Sequence, residues 1–104
     1  MEEERLIKEF ENFLDKEGKI ETLPSKNKKK LYIYYYIAGK IPSGEKFTER
    51  EINEIINRYT SFKDPATIRR ELFMRRLVNR TADGSSYWKE EDIPPVEEFI
   101  KNNI

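Results

Sequence analysis

The densest chemistry in this sequence is a run of arginines: Arg69, Arg70, Arg75, Arg76 and Arg80 fall within twelve positions. A guanidinium is a permanently charged fork of donors, matched to a phosphate or to the major-groove edge of guanine, and it does not transfer protons at neutral pH. The side chains that most often do catalysis are missing. The 104 residues include no His and no Cys, which removes the commonest general base, the commonest metal ligand and every disulfide or thiolate site. Glu49/Glu51 and Glu90/Glu91/Asp92 could in principle pair for acid–base work or for a hard cation. They are neighbours at a helix start and in a tail, where acids are ordinarily solvated. The four glycines form no phosphate-cradling loop. What is on offer is binding without catalysis, with no cofactor expected.

Length and charge balance frame that chemistry. A chain of this size has room for one modest core. With 37% hydrophobic against 38% charged residues, every apolar face must be used. Six Tyr, six Phe and one Trp help, because each ring buries a large area. The net charge is zero but segregated: residues 1–25 carry −4, residues 26–89 carry +8 and residues 90–104 carry −4. A basic middle in a neutral chain is the electrostatic footprint of a nucleic-acid face, whereas evenly mixed charge would only solvate a surface. The longest apolar run, Leu31 to Ala38, is too short to span a bilayer. The acidic start Met1-Glu2-Glu3-Glu4 is unlike a secretory or organellar leader. These features point to a cytoplasmic chain with no membrane partner.

The elements that must position the arginines follow from periodicity. Leu6, Ile7, Phe10, Phe13 and Leu14 make one stripe of a helix over 1–17, ended near Gly18. Ile20, Leu23 and Pro24 form an extended link. The run Leu31-Tyr32-Ile33-Tyr34-Tyr35-Tyr36-Ile37 has strand-like content. Yet Lys26 to Ala38 lacks Gly and Pro, and Ser25 can cap it, so the reading is a helix buried on the Ile33/Ile37 side. Thr48 and Glu51 form a capping box, Phe47 and Ile52 a hydrophobic staple, and Ile52, Ile55, Ile56 and Tyr59 a clean helical face. Asp64-Pro65 starts the next helix, predicted over 65–76 with Ile68 and Leu72 inward. Asp83-Gly84 then reads as a two-residue hairpin turn, with Arg80 across from Tyr87 and Thr81 across from Ser86. Val96, Phe99 and Ile100 mark a closing helix over 95–103.

Helix, capped helix, short turn, basic helix and hairpin is the order of a winged helix-turn-helix. The expected fold is mainly α with a small β-hairpin, one domain over 1–104. Its core covers about 19–89, with helical extensions at 1–17 and 95–103. In that design helix 65–76 lies in the major groove and the hairpin 77–89 is the wing. Thr67, Arg70 and Met74 then point outward, with Arg70 placed for a guanine edge and Thr67 for a base or a phosphate. Arg69, Arg75 and Arg76 flank them, suited to backbone phosphates. Arg80 and Ser85 stand near the wing tip, and Lys28, Lys29 and Lys30 are a second phosphate contact. Against this, Glu49, Glu51, Glu54 and Glu71 can close ion pairs with Arg69 or Arg70 inside the motif, and the lysine tract can be a solvated helix end. Tyr87 and Trp88 either pack the wing onto the helices or form an exposed aromatic patch. Phe10, Phe13, Phe99 and Ile100 either form a homodimer surface, for reading two half-sites, or pack over the core.

Phe47-Thr48-Glu49-Arg50-Glu51-Ile52-Asn53-Glu54-Ile55, Asp64, Thr67-Ile68-Arg69-Arg70-Glu71-Leu72, Arg80, Asp83-Gly84-Ser85 and Tyr87-Trp88 together resemble a bacterial domain-of-unknown-function family, number twenty eighty-seven. Gly18-Lys19, Leu23-Pro24 and Lys28-Lys29-Lys30 fit its upstream part. The resemblance covers Phe10 to Lys89. It implies a transcription-linked role, since the family occurs alone or attached to helix-turn-helix regulators, and it carries over no catalytic residue. The chain departs from the pattern at Phe73-Met74-Arg75-Arg76, where the family tends to an acidic-aromatic-Gly turn. Two functions follow as expectations. One is a small non-catalytic DNA-binding protein or transcription-regulatory domain acting on duplex DNA. The other is a protein-interaction or ligand-sensing module on the same scaffold, without DNA binding, whose acidic termini repel DNA or cover the basic face.

Overall fold

Among the described residues, two of the five α-helices begin at a side-chain cap, and the others are held by packing. A computed structural model describes residues 2–104, in the order α1 (Glu2–Lys8), α2 (Asn27–Gly39), β1 (Lys46–Phe47), α3 (Glu49–Tyr59), α4 (Pro65–Met74), β2 (Val78–Arg80), β3 (Tyr87–Lys89) and α5 (Val96–Asn103). The fold is mixed α+β, with five α-helices and a three-stranded antiparallel sheet among the described residues. Met1, which opens the expected first helix, lies outside them.

The helix expected over 1–17 is shorter than its stripe. It stops at Lys8, a 3-10 turn covers Glu11–Phe13, and Leu14 pairs with Ile20 in an isolated bridge. The cause is local. The Asp15 carboxylate accepts the backbone N–H groups of Glu17 and Lys19, closing a turn in which Gly18 takes φ 80. The reversal carries Ile20 to Thr60, where its N–H bonds the Tyr59 carbonyl at 2.8 Å. Leu6 and Phe10 still reach the core, and Phe13 and Leu14 pack against it from non-helical backbone.

The Tyr-rich segment is a helix, with Leu31, Ile33, Tyr34, Ile37 and Ala38 buried. Ser25 does not cap it: Lys26 holds that position and makes no side-chain cap bond. Packing against α1, α4 and α5 stabilises α2 in place of a cap. At α3 the capping box is complete. Thr48 Oγ1 accepts the Glu51 N–H at 3.1 Å, and the Glu51 carboxylate accepts the Thr48 N–H at 2.8 Å. At α4, Asp64 accepts both the backbone N–H and the hydroxyl of Thr67, ahead of Pro65 at the first turn.

Helix α4 ends at Met74, two residues before the expected Arg76. The Leu77 N–H reaches the Leu72 carbonyl at 2.9 Å and the Arg76 N–H reaches Phe73 at 3.1 Å, leaving Arg76 at φ 61. This is a Schellman ending with Arg where Gly is usual. Leu72 and Leu77 are both fully buried, and their burial outweighs the strain of one left-handed residue.

In the sheet, Arg80 faces Tyr87 and the Thr81 N–H bonds the Ser86 carbonyl, as the hairpin register requires. The turn is wider than two residues. Gly84 N–H bonds the Thr81 carbonyl, and of Asp83 and Gly84 only Gly84 has positive φ. Sequence reading missed β1, which pairs Lys46 with Trp88 and Phe47 with Tyr87 and gives the order β1-β3-β2. Val96, Phe99 and Ile100 of α5 are all buried, as expected.

Two substitutions test this account. Thr48→Ala removes half of the capping box and should cost about 1 kcal/mol, and an unchanged urea midpoint would refute the cap. Leu72→Ala empties a fully buried site and should cost about 2–5 kcal/mol in the same measurement.

Candidate nucleic-acid interface

The five arginines divide into two groups by their partners. Arg69 points back into the protein. Its side chain is only 12% exposed; it donates to Asn53 Oδ1 at 2.6 Å, pairs with Glu49 at 3.6 Å and stacks over the Tyr87 ring. One guanidinium thereby joins α3, α4 and β3. Arg75 is similarly committed: it pairs with Glu71 at 3.0 Å, donates to Asn103 Oδ1 and stacks over Tyr34. Of the two roles weighed for Arg69 the ion pair is the one seen, and Arg75, expected to face backbone phosphates, is likewise paired. Each would have to leave a partly buried carboxylate or amide unpaired.

Arg70, Arg76 and Arg80 have no ion pair among the described residues. Arg70 and Arg76 are exposed. Arg80 is half-buried, and its guanidinium lies 4.8 Å from the centre of the Phe73 ring. The turn above it is equally close, since a Cβ at Gly84 would sit 3.3 Å from Arg80 Nη1. The Phe73 ring and the Gly84 turn both lie close to this side chain. Phe73 was not singled out from the sequence, because its partner is in another element.

On the outward side of α4, Met74 is 71% exposed while Ile68 and Leu72 on the opposite side are fully buried, as helical angle requires. Thr67 is half-buried, its hydroxyl given to Asp64. That bond, the Thr67 N–H and then the charge of Arg70 hold the Asp64 carboxyl below the usual carboxylate range. Arg69, Arg70, Phe73, Met74, Arg80 and Tyr87, with Glu49, line an open groove of about 300 Å³ between α4 and the hairpin. A second groove, of about 640 Å³, runs from Met74, Arg75 and Arg76 past Trp88 to Glu90, Glu91 and Asp92.

The remaining expected contacts scatter. Ser85 is exposed at the turn, beside the carboxylate of Asp83, so the tip carries negative charge. Lys29 donates to the Glu9 carbonyl and so ties α2 to the segment after α1, while Lys28 is exposed and Lys30 half-buried. Lys46, not anticipated, lies over the Trp88 ring. Tyr87 is buried and Trp88 half-buried, so the hairpin is packed through its aromatic residues. Glu49 and Glu51, the acid pair weighed for catalysis, are bound to Arg69 and to the Thr48 N–H. Of the two roles weighed for the terminal apolar residues, the packing over the core is the one seen. Phe10, Phe99 and Ile100 are at most 5% exposed, and Phe13 packs against the core, so the monomer itself covers them. Among the described residues, no group of three or more Asp or Glu gathers as a metal ion would need, and no helix is long and apolar enough to cross a membrane.

The pattern of a bacterial family described as "Uncharacterized protein conserved in bacteria" matches residues 19–89. No curated protein and no solved structure matches the chain.

The division of the arginines has a direct consequence for stability. Arg69→Ala should destabilise the fold by about 1–3 kcal/mol, the cost of losing charged hydrogen bonds at a partly buried site. Arg70→Ala should stay within about 0.5 kcal/mol of wild type. Equal urea midpoints for the two variants would refute the division. The turn offers a pH test. Hydrogen bonds from the Thr81 hydroxyl, then from Ser85, hold the Asp83 carboxyl at about 2, against an ordinary 3.8. A carboxyl depressed in the folded state stabilises the turn fully above its unfolded value and loses that effect as pH falls through about 2. The Asp83 carboxyl carbon should titrate there by NMR and move toward 3.8 in Thr81→Val. A wild-type midpoint already at 3.8 would remove the proposed network.

Proposed function

The chain belongs to the bacterial DUF2087 family, and on its geometry we propose that it is a winged helix-turn-helix protein that binds duplex DNA, with α4 as the recognition helix and the β2–β3 hairpin as the wing. The observation that carries this reading is the shared groove. Arg70 on the helix and Arg80 on the hairpin, both without a carboxylate partner among the described residues, open onto one surface whose other side is anchored in the core. The element order supports it: a helix, a short strand, two helices joined through Thr60–Asp64, then a hairpin whose second strand pairs with the first strand. That arrangement presents α4 for major-groove insertion and leaves the hairpin free to meet an adjacent backbone.

Roles follow from exposure and partners. Arg70 is placed for a bidentate bond to a guanine edge. Arg80, beside the Phe73 ring, and Arg76, at the left-handed end of α4, are placed for phosphates. Arg69 and Arg75 act by positioning: one fixes α3, α4 and β3 relative to one another, the other fixes the end of α4 against α5. A DNA-binding domain of this kind would act in transcription, alone or within a larger regulator. A second reading, a protein-interaction module on the same scaffold, draws on the exposed apolar side chains of Phe73 and Met74.

The test is a titration of random-sequence duplex DNA at several salt concentrations. Wild type should bind with a dissociation constant of roughly 10⁻⁴–10⁻⁶ M at physiological salt, weakening as salt rises. Arg80→Ala should lower the salt slope by about 0.9, one phosphate contact. Arg70→Ala should cost about 1–3 kcal/mol on a preferred sequence and less on random duplex. Duplex binding that is absent, or insensitive to salt, would transfer the lead to the protein-interaction reading.

A further inference from the structure

We propose that Met74 reads the C5-methyl group of a thymine in the major groove, within about two base-pair steps of a guanine held by Arg70; the inference rests on the DNA-binding reading above. Apolar side chains are scarce in this chain and nearly all are spent on the core. Among the described residues the large ones left exposed are Phe73, Met74 and Ile104. Ile104 is the last residue, and Phe73 serves as the platform under Arg80. Met74 is 71% exposed and, of these, is the one that lies on the same helix face as Arg70.

Its position is as informative as its exposure. Met74 lines both the 300 Å³ groove and the 640 Å³ groove, so it forms the ridge between them. It is the last residue of α4. Beyond it Arg75 turns away to Tyr34 and Asn103, and the chain leaves the helix at Arg76. Arg70 stands four residues earlier on the same face, about 6 Å along the axis. Successive bases of a strand are about 3.4 Å apart, so the two side chains span no more than about two steps. The floor of the major groove offers few features to such a pair. Guanine presents two acceptors to a guanidinium, and thymine presents the methyl group, the one apolar feature among the four bases. An unbranched, polarizable thioether suits a methyl contact whose exact depth varies with helix tilt.

The experiment begins with selection by the full chain from a duplex library with a randomised centre. The selected sites should contain a guanine and a thymine within two steps of each other. Each thymine of a selected duplex is then replaced by uracil, which lacks only the methyl group. At one position uracil should weaken wild-type binding about fourfold, the effect of burying a single methyl. Met74→Ala should bind the thymine and uracil duplexes equally, with its melting temperature unchanged. Wild type that binds both duplexes alike at every position overturns the inference while leaving DNA binding intact. A Met74→Ala protein that still prefers thymine reassigns the contact to another side chain. Loss of any salt-dependent duplex binding by wild type fails the DNA reading itself and makes Met74 part of a protein-docking face.

Discussion

The whole arrangement depends on burying α2 on several sides at once. A chain with slightly more charged than hydrophobic residues cannot cover a large core, and it solves this by driving one apolar helix between α1, α4 and α5. Leu31, Ile33 and Ile37 are fully buried there, and Tyr34 is buried with them. Tyr35 gives its hydroxyl to the Pro94 carbonyl at 2.6 Å, and Tyr36 lies against Phe10 and under the Lys40 ammonium. Burial pushes the phenols of Tyr34, Tyr35 and Tyr36 upward. Because α4 packs directly on this helix, its inner side is committed to Ile68 and Leu72. Its outer side is free to vary without loss of the core.

Much of this was legible where a local rule governs. The starts of α3 and α4 follow from Thr48 with Glu51 and from Asp64 with Pro65, because a cap is settled by residues three apart. The hairpin register followed from Gly84 and its flanks. Where a distant partner governs, the sequence was mute. Strand β1 is two residues long, too short for any periodicity, and exists because β3 has an edge to pair. The first helix kept its stripe but lost its second half, since Asp15 offered the backbone a competing turn and Ile20 found the end of α3.

The arginines make the same point about function. Their number and charge were visible, but their fates were not. Arg69 and Arg70 are adjacent, yet one faces Asn53, sixteen residues earlier, and the other faces solvent. A difference of about 100° in helical angle decides which is structural and which is free. Weighing an ion pair for Arg69 or Arg70 was possible from the nearby acids. Choosing between them needed the packing of α3 on α4. The partner of Arg75 was the neighbouring Glu71, with Asn103 supplied by a helix that sequence reading had placed only as an extension.

Segregated charge then bounds the face that remains. Arg5 pairs with Glu97 at 3.3 Å, Lys40 pairs with Glu3 and Lys29 reaches the Glu9 carbonyl, so part of the acid of both ends is gathered where α1 meets α2 and α5. The other acidic segment, Glu90 to Asp92, lines the far side of the groove beginning at Arg76. On the DNA reading, a phosphate backbone tracking from Arg80 past Arg70 finds cations without internal ion pairs; beyond Arg76 it meets three carboxylates in succession. Like charge there repels the backbone, and the repulsion is short-ranged at physiological salt, about 8 Å. On that proposed reading the footprint is limited on that side to α4 and the hairpin. Zero net charge does not argue against the proposed DNA reading, because the field that matters is local to one groove and its border, and the sum over the whole chain does not describe it.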